Sequence, residues 1–170
     1  LSGSNRAGKT NAASAEVAMV ATGSHMVEGK YPKKDLQIAC IGNDERHLSL
    51  MYQYLFDKAP FDIFLHPETM QWTVVIPDNP DHRKYMHLWE EASPMIHPRL
   101  VKYVSWANRK EQIPRSVRLH NGTVIRFYSG LVRRMPQGRK FHLAWIDEEI
   151  ENPGRWVDEL RARIVDFNGY

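Results

Sequence analysis

Three features of the sequence predict an α/β fold with a mainly parallel sheet sandwiched by helices. They are a glycine-rich loop near the start, an apolar run that ends in carboxylates near the end, and a hairpin signal shortly before that run. The loop is Gly3-Ser4-Asn5-Arg6-Ala7-Gly8-Lys9-Thr10, which fits the phosphate-loop pattern G-x-x-x-x-G-K-[ST] without a gap. Its chemistry needs those residue types. The glycines let the backbone turn so that successive N–H groups face the β-phosphate, while Lys9 reaches the β- and γ-phosphates of ATP and Thr10 ligates Mg²⁺.

The apolar run is Phe141-His142-Leu143-Ala144-Trp145-Ile146-Asp147-Glu148-Glu149, the form of a Walker B strand. Such a strand carries Asp147 to the sheet's carboxyl edge, where it binds Mg²⁺ through water, and sets Glu148 beside it to polarise the attacking water. Alone, the run reads equally well as a core strand entering a solvated acidic turn; the upstream phosphate loop favours the Walker reading. Glu148 selects a water-using P-loop NTPase of the additional-strand, RecA-like type over a small-molecule kinase, which must exclude water. The hairpin signal is Asn121-Gly122 flanked by alternating residues from Val117 to Tyr128, feeding a loop over 129–139 into the Walker B strand.

The remaining elements follow in order. Lys9 to Ala21 is rich in alanine and good helix formers, and Gly23-Ser24 should end that helix. Asp35 to Ile41 reads as a buried strand, with Gly42-Asn43-Asp44 as the loop at its carboxyl edge. From Glu45 to Lys58, Leu48, Met51, Tyr52, Leu55 and Phe56 recur at helical spacing and predict a core-facing stripe. Prolines 67, 77, 80, 94 and 98 cut the stretch 61–104 into short pieces, among them a strand over Trp72–Ile76 and a helix over His82–Ala92. His82 and His87, five apart, fall on different faces of that helix and read as surface histidines rather than metal ligands.

Composition bounds the function class. The chain has 170 residues, one domain's worth, with 42% hydrophobic and 25% charged residues. Its single cysteine, Cys40, excludes an intrachain disulfide and a thiolate metal cluster and reads as a small buried hydrophobe in a reducing cytosol. No stretch approaches the roughly 18 uncharged apolar residues of a membrane span, and no leader pattern precedes the phosphate loop. The expectation is a protein neither embedded in a membrane nor exported.

Net charge is +3, but its distribution matters more than its sum. From Arg109 to Lys140 nine basic residues face one acidic residue, Glu111, and from Asp147 to Glu159 the sign reverses. In an ATPase such a block suits a phosphate-bearing partner: DNA, RNA or a neighbouring subunit's ATP. A solvated basic face without a partner stays open as the alternative.

With both Walker elements in place, the chain resembles the ATPase domain of the large terminase subunit of tailed bacteriophages. GSNRAGKT is similar to that family's G-x-N-R-x-G-K-T loop, and Gly29-Lys30-Tyr31-Pro32 to its G-x-Y-P turn after the first helix. Asn121 to Ser129 resembles the hairpin before Walker B; Gln137-Gly138 followed by WIDEE continues the likeness, and Leu160-Arg161-Ala162-Arg163 resembles the arginine-bearing helix that follows. The resemblance covers most of the chain and is weak between Phe61 and Ile113.

The resemblance implies an ATP-driven motor that packages double-stranded DNA into a procapsid. It works as a homo-oligomeric ring docked on a portal protein, with a small terminase subunit as partner, in the cytoplasm of an infected or lysogenic bacterial host. It also implies a C-terminal nuclease domain; the chain itself is expected to be a partial P-loop ATPase domain over 1–170 that lacks its first strand, the strands after Walker B and that nuclease domain. Carried over by position, Lys9, Arg6 and Glu148 are catalytic, residues 3–10 bind nucleotide, and Thr10 and Asp147 hold Mg²⁺. Arg6 reads as a cis sensor of the γ-phosphate or as a surface arginine. Where the family can place a trans arginine finger this chain has Gln137, which leaves Arg134, Arg139 and Arg133 as candidates. Two other readings stand beside the motor: a DNA helicase or translocase of another lineage, and a nucleotide-gated binding module with little hydrolysis.

Overall fold

The computed structural model describes residues 9–131, 139–146 and 153–164. Two helices pack on one face of a five-stranded sheet and a third on the other, with a three-stranded antiparallel sheet inserted between. Helix α1 (Lys9–Thr22) ends where the sequence predicts. Gly23 takes φ +77°, its N–H bonds Val20 O at 3.2 Å, and the Ser24 N–H bonds Met19 O at 2.9 Å, a Schellman stop.

Strand β1 (Gln37–Gly42) begins later than the predicted Asp35, because Asp35 turns at φ +58° to enter the sheet. Helix α2 (Glu45–Phe56) buries all five residues of the predicted stripe and stops short of Lys58, where the Asp57 and Lys58 N–H groups both return to Gln53 O. Met51 and Leu55 are fully buried, each contributing about 1.5–3 kcal/mol.

The small sheet holds β2 (Asp62–Leu65), β3 (Trp72–Val74) and β4 (Glu90–Glu91) in the order β3-β2-β4. The predicted strand over Trp72–Ile76 is therefore shorter, and the predicted helix over His82–Ala92 is not formed. In its place stand a single turn, α3 (Pro80–Arg83), a 3₁₀ turn over Met86–Leu88, and β4. Tertiary packing overrides propensity here. The rings of His66, His82 and Tyr85 gather around the fully buried Phe64, and the His82 Nδ1 accepts the Ile76 N–H at 3.0 Å, so this histidine fastens the loop.

The large sheet runs β5-β6-β7-β1-β8, with β5 (Val101–Asn108), β6 (Ile113–Leu119), β7 (Val124–Ser129) and β8 (Leu143–Ile146). β1 lies parallel to both β7 and β8, whereas β5-β6 and β6-β7 are antiparallel. The expected mainly parallel sheet is thus half right among the described strands. Turns at 109–112 and 120–123 are too short for a crossover and enforce antiparallel pairing. The second is the Asn-Gly turn, with Gly122 at φ +88° and the Asn121 Oδ1 accepting the Thr123 N–H at 3.1 Å.

Alternation along the strands divides the core. Ile38, Cys40, Val117, Leu119, Ile125, Phe127 and Trp145 face α1 and α2. Ala39 and Ile41 face Trp156 and Leu160 of α4 (Pro153–Ile164), with Tyr128, Ala144 and Ile146 beside them. Cys40 is fully buried, as its apolar run predicts.

Candidate functional site

α1 stands along the sheet, and its two ends can be located from their neighbours. Its carboxyl end is fastened at the amino edge of the parallel strands, where the Asn121 Nδ2 donates to Ala21 O at 2.8 Å and the Asp35 N–H bonds Asn121 O at 3.1 Å. Fourteen residues of helix span about 21 Å, close to the roughly 20 Å of a six-residue strand. The helix packs on α2 and β8 as it runs. Lys9 and Thr10 in its first turn therefore stand toward the carboxyl edge, the edge at which β1 ends at Gly42, β7 at Ser129 and β8 at Ile146. That first turn carries no acidic side chain to repel an anion, and its N–H groups lack intrahelical acceptors.

The rest of this edge is tightly built. The Asp44 Oδ1 accepts the His47 N–H at 3.0 Å and faces the His47 Nδ1 at 2.8 Å, capping α2. The backbone hydrogen bond from His47, then the contact with its ring, holds the Asp44 carboxyl below its ordinary pKa. Gly42 leaves no room for a side chain, since a Cβ there would lie 2.8 Å from the His47 Cβ. The Gly130 N–H bonds Gly42 O at 2.7 Å, and the Ser129 hydroxyl donates to Asn43 O at 3.2 Å, tying the ends of β1 and β7 together. The Asn43 Oδ1 is sealed from solvent without a hydrogen-bond partner among the described residues.

A cleft of about 930 Å³ opens beside α2, with Asp44, Glu45, Glu111 and Arg46 among its lining. Among its described lining residues three carboxylates stand against one guanidinium, which disfavours a polyphosphate.

Of the predicted site residues, Lys9 and Thr10 are described, both on α1. Gly3, Ser4, Asn5, Arg6, Ala7, Gly8, Arg133, Arg134, Asp147 and Glu148 lie outside the described residues, as do Gln137 and Gly138. Ile146, immediately before Asp147, ends β8, so the predicted Walker B strand is a strand up to that point. Arg139 is exposed, its carbonyl accepting from the Arg163 Nη1 at 3.2 Å, on the α4 side of the sheet. Among the described residues no cluster of three or more metal-ligating side chains occurs, and no helix is long and apolar enough to cross a membrane.

Compared with protein-family models, curated proteins and solved structures, the chain matches none.

The structure adds what the charge count left out. On the sheet face opposite α1 and α2, the register pairs Tyr103 with Arg118 and Ser116 with Arg126, which puts all four on one side. The Arg118 guanidinium lies over the Tyr103 ring, 6.0 Å from its centroid, and the Arg126 Nη1 donates to the Gln37 Oε1. Arg139 reaches the same neighbourhood, close to the Tyr128 hydroxyl, whose oxygen is sealed from solvent without a well-aligned hydrogen bond among the described residues. Burial raises the Tyr128 pKa against the pull of Arg139 and Arg126. The alternation read from Val117 to Tyr128 covers Arg118 and Arg126, and the strand pairing adds Tyr103.

Proposed function

We propose that this protein is the ATP-hydrolysing motor domain of a viral terminase large subunit, driving double-stranded DNA into a procapsid. The observation that carries the reading is α1. It runs the height of the sheet from a fastened amino-edge anchor and stands Lys9 and Thr10 toward the edge at which β8 ends one residue before Asp147. A mixed sheet with β1 parallel to β7 and β8 supports a P-loop NTPase of the additional-strand type, a hairpin preceding the Walker B strand.

The donor set fits Mg-ATP: the Lys9 ammonium, the Thr10 hydroxyl and the N–H groups of the first turn of α1, with the carboxylates of Asp147 and Glu148 next in sequence after β8. Lys9 holds the β- and γ-phosphates, and the Thr10 hydroxyl and Asp147 hold the ion. Glu148 accepts a proton from the attacking water. Mg²⁺, when bound, neutralises charge that develops on the phosphates. Arg6 senses the γ-phosphate in cis, and Arg134, Arg139 and Arg133 are the residues from which a neighbouring subunit's finger would come. The partners of the motor are double-stranded DNA, a portal protein, a small terminase subunit and further copies in a ring, in the cytoplasm of an infected or lysogenic bacterium.

The test is ATP turnover with and without procapsids and linear double-stranded DNA, alongside Glu148→Gln and Lys9→Ala. Strong stimulation by procapsid plus DNA, lost in Glu148→Gln while ATP binding persists, is the expected result. Lys9→Ala should lose nucleotide binding, since backbone amides alone then face the polyphosphate. Stimulation by DNA alone would point to a helicase or translocase of another lineage. Binding without Glu148-dependent turnover would leave a nucleotide-gated binding module.

A further inference from the structure

Among the described residues, the face of the large sheet opposite α1 and α2 is only partly covered. Trp156 and Leu160 of α4 pack over Ala39 and Ile41 of β1, beside Ala144 and Ile146 of β8, while β5, β6 and the start of β7 extend past the helix. An uncovered antiparallel sheet face normally mixes both charge signs in water. On that side Tyr103 of β5 and Arg118 of β6 are exposed, Ser105 of β5, Ser116 of β6 and Arg126 of β7 are half-buried and Val124 of β7 is buried, with no carboxylate among them. Arg118 and Arg126 are diagonal neighbours across the β6-β7 pairing, and Arg139 comes in from the segment before β8.

Among the described residues no carboxylate acts on Arg126; positive charges brought together in this way repel one another, and a bound anion relieves that repulsion. The groups acting on Arg126 show the imbalance. Burial first, then Arg139 and, more weakly, Arg118, lower its pKa, and the opposing pull comes from Tyr128 and Tyr103. On α4, the Glu159 carboxylate is engaged by the Arg163 Nη2 at 2.6 Å.

We propose that the partly open β5-β6-β7 face is a docking surface for the phosphodiester backbone of double-stranded DNA, with Arg118, Arg126 and Arg139 as its phosphate contacts. Charge complementarity selects the polyanion. The duplex is selected over a single strand because the half-exposed Tyr103 ring, the surface's one open aromatic, already carries the Arg118 guanidinium over it and is not offered to a stacking base. The choice of DNA over RNA rests on the motor reading above. Contacts to phosphates carry no base information, so binding is independent of sequence. The surface lies on the opposite side of the sheet from α1, so DNA held there leaves the Lys9 end of that helix free for nucleotide.

The experiment is a salt titration of a labelled DNA duplex by fluorescence anisotropy. It compares the native protein, Arg118→Gln/Arg139→Gln, Arg118→Lys/Arg139→Lys, and Arg83→Gln/Lys84→Gln as an exposed cationic control on the small sheet. Each phosphate contact contributes a slope of about 0.9 in log affinity against log salt, so the glutamine pair should flatten the slope by roughly 2. The lysine pair should keep it, and the control pair should leave it unchanged. Circular dichroism melts of each variant verify folding; if the glutamine pair melts early, Arg118→Gln alone must flatten the slope by about 1. An unaltered slope in a folded variant, an equal loss in the control, or tighter binding to a single strand than to a duplex would each overturn the surface. ATP binding and Glu148-dependent turnover, read on the protein with native Arg118 and Arg139, keep the two proposals separate. Turnover with an unaltered slope rejects the surface alone, and a flattened slope without ATP binding rejects the motor alone.

Discussion

Replacing Asn121 by alanine should cost stability at the junction between the hairpin and α1. The carboxamide makes two well-formed bonds there: Nδ2 to Ala21 O at 2.8 Å, and Oδ1 from the Thr123 N–H at 3.1 Å. Ala21 and Thr123 are both fully buried, so neither freed group can turn to water. Stranding a buried polar group costs about 1–3 kcal/mol, and the turn bond contributes about 0.5–1.5 kcal/mol. Allowing for overlap, the loss is about 2–4 kcal/mol, or roughly 5–15 °C in melting temperature for a chain of this size. Asn121→Asp refines the test, because it keeps an acceptor for the Thr123 N–H while setting a carboxylate oxygen against the Ala21 carbonyl. Thermal and urea melts of both variants measure the effect. A loss below about 0.5 kcal/mol in the alanine variant, or an aspartate variant as stable as the native protein, would refute the anchoring argument.

Gly23 and Gly29 both sit at φ +77°, yet a Cβ at Gly23 would lie 2.7 Å from Lys33 O while Gly29 has nothing within 4 Å. Gly29→Ala should lose about 1–2 kcal/mol and Gly23→Ala more, and equal urea midpoints would contradict the close approach. Asp44→Ala should cost about 1 kcal/mol by removing the α2 cap, with Asp44→Asn retaining most of it in the same melts. Because the Asp44 carboxyl titrates below its ordinary 3.8 when folded, its contribution is full above that pH and disappears as the pH falls further; a native-minus-alanine difference that persisted in strong acid would contradict this. Burial holds the His142 ring below its ordinary 6.5, so the unfolded chain binds the proton more tightly and stability falls as pH drops below that value. His142→Gln should flatten this acid slope in urea midpoints compared across the range, and an equally steep slope would remove His142 as its source.

Much of the fold was legible because local and long-range signals agreed. Lys9–Thr22 is alanine-rich up to a glycine that can turn left-handed, the α2 stripe repeats at helical spacing, and Asn121-Gly122 demands a tight turn. The stretch between α2 and β6 was not, since its elements take their shape from distant partners. The segment 82–92 carries helix formers, but the rings packed around Phe64 and the pairing of Glu90 with Ile63 draw it into a turn and a strand. β5 hides as an alternating run broken by register shifts near Tyr103 and Trp106. The antiparallel half of the large sheet followed from two short turns, only one of which carries a glycine signal.

The candidate site divides the same way. A phosphate loop is a contiguous motif, so Lys9 and Thr10 can be named from the sequence, and α1 then explains which edge of the sheet they approach. The arginine face is not contiguous: Arg118, Arg126 and Arg139 stand in a run of nine basic residues, and only the pairing of β6 with β7 shows which share a surface. The structure also joins the two regions through one residue. The Gln37 side chain receives a bond from Arg126, its N–H bonds the His142 Nδ1 at 3.0 Å, and its carbonyl accepts the His142 N–H at 2.8 Å. From His142 the chain runs directly into β8, so the arginine face and the strand leading to Asp147 share a hydrogen-bonded anchor at the start of β1. On the proposed motor reading, a displacement of Arg126 by a bound phosphate would reach the base of that strand through these bonds rather than through solvent, on the far side of the sheet from α1.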